Sequence, residues 1–186
     1  FLVVLHYTVV DDHNLPVIFA AYDFSKGIRL TPNHHDYLEV AYIHDGSCTF
    51  QVGENRFDAS AGDVVVLGAS QFHSVEATVQ QALRIVALYF LPHLIYRPGE
   101  GSIDFDYLIP FYSHEIDFNP IIQSEEPICS SIFRRVMRIH RELRLRLPYS
   151  PVAVKNLLCD ILVDLVRHYV RYSADVVRQA EKSKWL

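Results

Sequence analysis

The chain has 186 residues, half of them hydrophobic, and a formal net charge of −5 at pH 7. This composition supports a packed core and excludes an intrinsically disordered chain. Up to Pro120 there are five Lys/Arg and fifteen Asp/Glu, and after it there are twelve and seven. The acidic first part is unsuited to binding nucleic acid by itself. The change in composition predicts two structural units, residues 1–122 and 123–186.

The cysteines and the opening segment bear on the compartment in which the chain works. Cys48, Cys129 and Cys159 are odd in number and widely spaced, and no C-x-x-C pattern occurs. This excludes a disulfide framework and a thiolate zinc site, so we expect free thiols in a reducing cytoplasm. The opening FLVVLHYTVV is too short to span a membrane and contains His6, so we predict a strand there and no membrane partner.

The chain up to Leu91 predicts short strands separated by turns. Hydrophobic runs broken by Gly, Asn and Asp predict strands at 16–24, 37–43, 49–52, 56–59, 64–67 and 83–91. The run at 64–67 is continuously apolar, which predicts a strand buried on both faces. Many short strands with frequent turns are typical of an antiparallel sandwich or barrel.

Residues 92–120 are less regular, because they contain four prolines among many aromatic residues. We predict one more strand at 116–122, added to the same barrel. The rest of this stretch predicts ordered loop. Asp104 and Asp106 within it resemble a pair of loop carboxylates, but nothing in the sequence positions them, and we expect solvated acids.

The spacing of apolar residues then changes to three and four, which predicts an amphipathic helix. Ser124 is the predicted N-cap, and the apolar stripe continues from Ile128 to Leu147. Pro148 is expected to end the helix. Its other face is basic, which fits either a solvated surface, the interpretation we prefer, or a nucleic-acid contact. The basic residues are Arg134, Arg135, Arg138, Arg141, Arg144 and Arg146.

A second helix is predicted to begin at Ser150 and Pro151, a cap followed by a proline at the first helical position. We expect it to extend toward Gln179. Its apolar stripe is wider than one partner helix needs, so one edge is predicted to be exposed. The stripe comprises Val154, Leu157, Leu158, Ile161, Leu162, Leu165, Val166 and Tyr169.

Two short motifs lie within the predicted strands. Gly27, Asn33, His35, Glu39 and Gly46 fall at the spacing G-x5-H-x-H-x3-E-x6-G, with Asn where the first His belongs. The second motif, at the spacing G-x5-P-x-G-x2-H, comprises Gly62, Gly68, Ser70 and His73. This pair of spacings resembles the signature of the cupin family. The resemblance implies a mainly β fold with α-helices at the C-terminal end: a cupin (double-stranded β-helix, jelly-roll) barrel followed by two α-helices.

The motif residues bear on whether the barrel holds a metal. Alternate residues of a strand share a face, so Asn33, His35, Tyr37 and Glu39 are expected to point together. The resemblance implies that His73 joins them inside the barrel, where His35, Glu39 and His73 are the metal ligands if any metal binds. The departures from the motif are Asn33, Gly68, Ser70 and Ala77. Because of them we expect neither metal nor cofactor.

Without metal, the same groups suit a small polar effector, a sugar or an organic acid. Imidazole and carboxylate groups supply donors and acceptors, and aromatic rings supply flat apolar walls. Arg29 is a candidate for holding a carboxylate, although a solvent-exposed strand end is an equal interpretation. Gln71 is a weaker candidate, and His34 is expected at the surface. The predicted ligand-binding residues are Arg29, Asn33, His35, Glu39, His73 and Tyr89.

The segment from His34 to Val75, followed by the two helices, resembles the effector-binding domain of AraC-type transcription regulators. The resemblance implies a cytoplasmic, effector-sensing homodimer that controls DNA binding allosterically. It implies that DNA is contacted only through a helix-turn-helix module that this chain lacks. The exposed edge of the second helix would form the dimer interface, through Val154, Leu157, Leu158, Ile161 and Leu165.

Two other functions remain open from the sequence. One is a single-domain cupin metalloenzyme of the dioxygenase or isomerase type, which would use His35, Glu39 and His73. Asn33 and the long helices argue against it, so we expect no enzyme activity. The other is a structural dimerisation domain with an inert barrel. Burying three polar groups without partners argues against that one, since each costs on the order of 1–3 kcal/mol.

Overall fold

The computed structural model describes residues 4–12, 15–96, 103–112 and 118–172. The strands are β1 (Val4–Asp12), β2 (Leu15–Phe24), β3 (Leu38–Asp45), β4 (Ser47–Val52), β5 (Asn55–Ser60), β6 (Val64–Leu67), β7 (His73–Ala77), β8 (Leu83–Phe90) and β9 (Ile121–Ile122). The helices are α1 (Ile109–Tyr112), α2 (Pro127–Leu145) and α3 (Ser150–Tyr172), with 3₁₀ turns at Pro92–Leu94 and Ile103–Leu108. The mainly β fold with C-terminal helices is as predicted.

The strands form two antiparallel sheets that face each other. The larger sheet has the order β1-β2-β8-β3-β6-β9, and the smaller has the order β5-β4-β7. Residues 27–33, here called the strap, run along β7. Leu30 N donates to Val75 O at 2.8 Å, and Asn33 and His73 exchange two main-chain hydrogen bonds at 3.0 Å. The strap therefore extends the smaller sheet on the side away from β4.

Alternation along the strands divides the hydrophobic residues between two cores. The core between the sheets includes Phe24, Ile43, Phe50, Leu67 and Ile85. The second core lies between the outer face of the larger sheet and the helices, and it includes Phe19, Val40, Leu88, Ile132 and Leu158. The strand β6 is buried along its whole length, as its continuous apolar sequence predicts. The larger sheet is thus shared by the barrel interior and the helical layer.

The helix α2 begins at Pro127, later than predicted. Its N-cap is Glu126, which makes no capping hydrogen bond through its side chain. The expected cap Ser124 instead donates its main-chain N–H to the buried Asp63 carboxylate at 2.8 Å. Arg146 ends the helix in the left-handed conformation, with a φ of 48°. Leu147 therefore lies beyond the helix and is exposed.

The prediction that α3 has an exposed apolar edge is wrong. Val154, Leu157, Leu158, Ile161 and Leu165 are all buried within the chain, at no more than 7% exposure. One side of α3 contacts α2, and another contacts the 3₁₀ turn Ile103–Leu108 and α1. The sequence indicated ordered loop for residues 103–112, so the element that covers the wide stripe was missing from the prediction.

Some predictions fall partly outside the described residues. The strand expected at 116–122 is present only as β9, and residues 113–117 lie outside the described ranges. The continuation of the second helix toward Gln179 lies outside them as well. The proposed division at residue 122 stays a prediction. None of the helices in the described part of the chain is long and apolar enough to span a membrane.

Candidate ligand site

A cavity of about 900 Å³ lies between the two sheets. Its volume is within the range of pockets that hold drug-sized molecules. Most of its wall is apolar and aromatic: Ile18, Ala20, Phe24, Leu30, Pro32, Phe50, Val75 and Ile85, with Tyr22, Tyr37 and Tyr89. The polar part of the wall comprises Thr31, Asn33, His35, Glu39, His73 and Ser74. The site is therefore a largely apolar chamber that also carries a group of polar side chains.

His35, Glu39 and His73 form a compact group, called here the HEH cluster. Glu39 is the second residue of β3 and is only 5% exposed. His35 precedes β3, and His73 opens β7, where it pairs with Asn33 of the strap. Nε2 of His35 lies 3.2 Å from Glu39 Oε2, and Nε2 of His73 lies 3.8 Å from the same atom. The two motifs thus converge, through residues 38 positions apart in the chain.

Hydrogen bonds to the main chain orient both imidazole rings. Nδ1 of His35 lies 2.9 Å from Tyr37 O, and Nδ1 of His73 lies 2.9 Å from Gln71 O. A carbonyl oxygen only accepts hydrogen bonds, so each Nδ1 carries a proton and donates it. In the neutral ring, Nε2 then has a free lone pair. Both Nε2 atoms lie near the Glu39 carboxylate, that of His35 within hydrogen-bonding distance.

One proton is needed where His35 meets Glu39. Nε2 of a neutral His35 and a carboxylate oxygen are both acceptors, so their 3.2 Å contact requires a hydrogen between them. The hydrogen bond with Glu39 raises the pKa of His35 above its ordinary value of 6.5, against the opposing effect of burial. The negative charge of Glu39 adds to the increase. The contact therefore holds one proton shared between His35 and Glu39.

Tyrosines extend the polar end of the cavity. The hydroxyls of Tyr22 and Tyr89 lie 3.1 Å apart, and the Tyr89 ring meets His35 edge-on with centroids 5.3 Å apart. Burial raises the pKa of Tyr89 well above the usual phenol value, and the nearby Glu39 carboxylate adds to this. Tyr89 therefore stays a neutral hydroxyl that can both donate and accept hydrogen bonds.

Five of the six predicted ligand-binding residues line the cavity: Asn33, His35, Glu39, His73 and Tyr89. Their part in binding stays a prediction. Arg29 does not line it. Arg29 pairs with Glu76 across the strap and β7, and paired residues project to the same face. Its side chain is 67% exposed, with Nε 4.0 Å from the Glu76 carboxylate, so Arg29 lies on the outer surface.

The other candidate residues from the sequence, Gln71, His34, Asp104 and Asp106, do not line the cavity. Gln71 accepts a hydrogen bond from Gly68 N at 3.1 Å and is not part of the wall, and His34 is exposed and contacts the ring of Phe72. Asp104 and Asp106 are half-buried in a 3₁₀ turn, less exposed than expected, and neither lines the cavity.

The basic face of α2 is largely solvated in the described part of the chain. Arg134, Arg138, Arg141, Arg144 and Arg146 are exposed. Arg135 instead reaches α3, where its guanidinium donates to Asp164 at 2.7 Å.

Tyr22 lines the cavity although it was not predicted to do so. Tyr22 alternates with Ala20 and Phe24 along β2, and all three face inward. The alternation was readable, but β2 carries apolar residues on both faces because the larger sheet is covered on both sides. Nothing in the sequence alone distinguishes the inner set from the outer set.

The HEH cluster has the composition of a divalent metal site. One ligand atom from each residue lies within 4.8 Å of the others. Two imidazole nitrogens and one carboxylate oxygen suit a transition metal bound on one side, with positions left for water or substrate. The donor set of His35, Glu39 and His73 therefore fits such an ion, and Asn33 replaces what would be a stronger fourth ligand.

Two facing antiparallel sheets, a ligand-sized cavity and an inward HEH cluster define a cupin-type binding domain. Within this class, residues 16–144 match the family described as AraC-like ligand binding domain. The chain belongs to that family. A comparison with curated proteins finds no match.

The chain is also similar to solved cupin structures. Over 46% of its length it superposes on the cupin domain of Cnp3 from Schizosaccharomyces pombe, with 10% identity, a TM-score of 0.44 and 63% of that chain covered. A cupin superfamily protein from Desulfitobacterium hafniense matches over 46% of this chain and 76% of its own chain, with 12% identity and a TM-score of 0.42. An oxalate decarboxylase variant from Bacillus subtilis matches over 41% of this chain and 21% of its own chain, with 16% identity and a TM-score of 0.39. The match thus spans under two thirds of the first and third of these proteins.

Proposed function

We propose that this chain is the effector-sensing and dimerising part of an AraC-type transcription regulator that works in the cytoplasm and catalyses no reaction. The observation that supports this most is a ligand-sized cavity with a buried polar cluster, inside a domain of the AraC-like ligand-binding family. DNA would be contacted by a separate helix-turn-helix module, and the homodimer would set the spacing of the two half-sites.

The two-faced strands of the larger sheet support an allosteric role. Tyr22 in β2 and Glu39 in β3 face the cavity. On the opposite face of the same strands, Phe19 stacks on His140 of α2 with centroids 4.2 Å apart, and Tyr42 stacks on Phe133 at 4.3 Å. A ligand that shifts β2 or β3 therefore acts on α2 through direct contacts. Its effect is limited by its differential affinity for the two arrangements.

The test of ligand sensing starts with a compound screen in which stabilisation against heat reports binding. Compounds found in this way are then titrated calorimetrically into the double variant His35→Ala with His73→Ala. We expect affinity to fall at least tenfold, since two polar groups of the cavity are lost, while circular dichroism shows a retained fold. The matched control is His34→Ala, which removes an exposed imidazole next to the site. An unchanged affinity in the double variant would move the binding site elsewhere.

The regulator role has a separate test in the parent gene. Reading past the codon for Leu186 should show about a hundred further residues with two helix-turn-helix patterns. A stop codon at that point would contradict the proposal that the chain belongs to a DNA-binding regulator.

A second candidate is a cupin metalloenzyme, which the convergence of the HEH cluster favours. His35, Glu39 and His73 would hold the ion, which would supply Lewis-acid or redox chemistry to a substrate in the cavity. Elemental analysis of the purified chain distinguishes the metalloenzyme from the ligand sensor. Stoichiometric iron, manganese or zinc together with turnover would favour the enzyme, and well under one metal per chain would favour the sensor.

A further inference from the structure

The exposed residues of α2 carry positive charge and no negative charge. Four of the eight are arginines, called here the basic stripe: Arg134, Arg138, Arg141 and Arg144. The other exposed residues of the helix are Pro127, Ser130, Met137 and Leu145. The acidic residue of α2, Glu142, is half-buried and accepts a hydrogen bond from the Ser150 hydroxyl at 2.8 Å. The basic stripe thus has no counter-charge on the exposed side of its own helix.

Arginines elsewhere on the surface show the contrast. Arg29 and Arg56 both lie within 4.0 Å of the Glu76 carboxylate, and Arg84 lies 2.6 Å from that of Asp23. Within the described part of the chain, no carboxylate oxygen lies within 4.0 Å of a guanidinium of the basic stripe. Arginine stays charged in proteins. The basic stripe is therefore a row of four charges without an ion-pair partner among the described residues.

The spacing of the basic stripe matches the charge along a nucleic-acid strand. Its arginines follow one another at intervals of four, three and three residues, so they lie along one side of the helix. From Arg134 to Arg144 the helix rises about 15 Å. One strand of a DNA duplex carries about four phosphates over the same length of axis. The planar guanidinium also presents a pair of N–H donors that suits a phosphate group better than the ammonium of lysine does.

The direction of α3 determines which end of the basic stripe a following module would approach. The two long helices are antiparallel: Ser150 contacts Glu142 near the end of α2, and Asp164 accepts a hydrogen bond from Arg135 nearer its start. Therefore α3 returns to the end of α2 at which the basic stripe begins. In the proposed regulator the DNA-binding module follows α3, so it would hold a duplex near that end.

We propose that the basic stripe binds the phosphate backbone of duplex DNA, with its guanidinium groups along one strand. The inference rests on the proposed function for the DNA-binding module, and it gives this domain a contact with DNA of its own. Phosphate contacts position a protein on the duplex without reading its sequence. The basic stripe therefore adds affinity at any site, while the helix-turn-helix module selects the site. The solvated arginines of the free chain are the state before this contact forms.

The test follows binding of the full chain to fluorescein-labelled DNA duplexes by fluorescence anisotropy. Two duplexes of unrelated sequence should bind with affinities within about threefold of each other, because phosphate contacts carry no sequence information. The titrations are repeated from about 25 to about 200 mM salt, where phosphate contacts weaken steeply. The logarithm of affinity should fall against the logarithm of salt with a slope of about −3.6, as four phosphate contacts imply.

Two combined variants test the stripe itself. The first removes three charges, so affinity at the lowest salt should fall at least about tenfold and the slope should become shallower by about 2.7. It consists of Arg134→Gln, Arg138→Gln and Arg141→Gln. The second changes the same three residues to Lys, which keeps the charge and should keep the slope. Circular dichroism checks that both variants retain the fold, as expected for exposed positions.

The matched control makes the same change in net charge away from α2. It combines Arg29→Gln, Arg56→Gln and Arg84→Gln, all at exposed positions. Its affinity for either duplex should change less than about threefold, because these arginines do not belong to a phosphate-binding row.

Several outcomes would overturn the proposal. Equal changes in the stripe variant and the control would show that the stripe has no special part in binding. Displacement of the labelled duplex by poly-L-glutamate as readily as by unlabelled DNA would identify a docking surface for acidic proteins. A stripe variant that keeps its affinity for DNA but changes mass in light scattering would identify a contact between copies.

Failure to bind either duplex at the lowest salt would also overturn the proposal. The proposed function would stand in that case, because the parent gene and the compound screen test it independently. A parent gene without a helix-turn-helix module would remove the regulator role, and DNA binding by the chain alone would still be measured directly.

Discussion

At the scale of single residues, the buried carboxylate of Asp63 joins the barrel to the segment before α2. It is 1% exposed and accepts hydrogen bonds from the main-chain N–H groups of Ser60 and Ser124, both at 2.8 Å. The neighbouring Gly62 has a φ of 99°, and a Cβ there would come within 2.7 Å of Ser124. The turn between β5 and β6 is thereby joined to the segment that leads into α2.

Replacing Asp63 with Ala should lower the free energy of unfolding by about 3 kcal/mol, because two main-chain N–H groups lose their charged acceptor. Urea denaturation measures the loss. The matched control is Asp58→Ala, whose exposed carboxylate accepts from Thr49 and should cost less than about 1 kcal/mol. Similar losses in the two variants would show that the link between barrel and helix contributes little.

The same residue scale shows how far the sequence predicts the site. The motif spacing identified His35, Glu39 and His73, because a cupin barrel brings the two motifs together. The spacing could not predict which way the Arg29 side chain points. That direction is set by the pairing of Arg29 with Glu76, which is distant in the chain. The spacing also gave no sign of the two main-chain carbonyls that orient the imidazoles. Those contacts depend on loop conformations that spacing does not encode.

At the scale of elements, the burial of α3 reverses the expected effect of substitutions on its apolar stripe. Leu158 and Ile161 are both fully buried in the core that the helices share with the larger sheet. A chain with Leu158→Asp and Ile161→Asp should therefore fail to fold, whereas an exposed interface would have left a folded monomer. Burying two carboxylates without partners costs more than about 4 kcal/mol.

Circular dichroism and thermal unfolding check this prediction. Asn156→Asp places the same charge on the exposed side of α3 and should leave the melting temperature nearly unchanged. A soluble, folded double variant would contradict the packing of α3 described above.

Strands and long helices were predictable because their apolar periods are local signals. Each strand predicted up to Leu91 is present, with ends shifted by one or two residues in most cases. Residues 103–112 were not predictable, because a 3₁₀ turn and a single helical turn are too short for a period to show. The consequence was large, since this segment covers the stripe that had been assigned to a partner chain.

At the scale of the whole molecule, the proposed homodimer needs a surface other than the buried stripe of α3. The end of α2, the turn after it and the first turn of α3 have four exposed apolar residues, called here the turn patch: Leu145, Leu147, Tyr149 and Val152. Tyr149 is 83% exposed and Val152 57% exposed. Exposed apolar patches of this kind mark association surfaces, and a two-fold axis would bring identical patches together.

Light scattering should find a dimer for the unaltered chain and a folded monomer for the variant with Tyr149→Asp and Val152→Asp. The matched control is Val79→Asp, which changes a residue that is 74% exposed near the strap and should keep the dimer. A dimer that survives in the turn-patch variant would place the interface elsewhere. A monomeric unaltered chain would remove dimerisation from the proposed function.

The strap has a consequence for how a ligand would enter and leave the cavity. It is joined to β7 by four main-chain hydrogen bonds, and it contributes Leu30, Pro32 and Asn33 to the cavity wall without belonging to the larger sheet. Displacing it would open the cavity while leaving β2 and β3 paired and in contact with α2. In the proposed sensor, a substitution at Gly27 or Pro32 would therefore change the residence time of a bound ligand more than the contacts through which β2 and β3 reach α2.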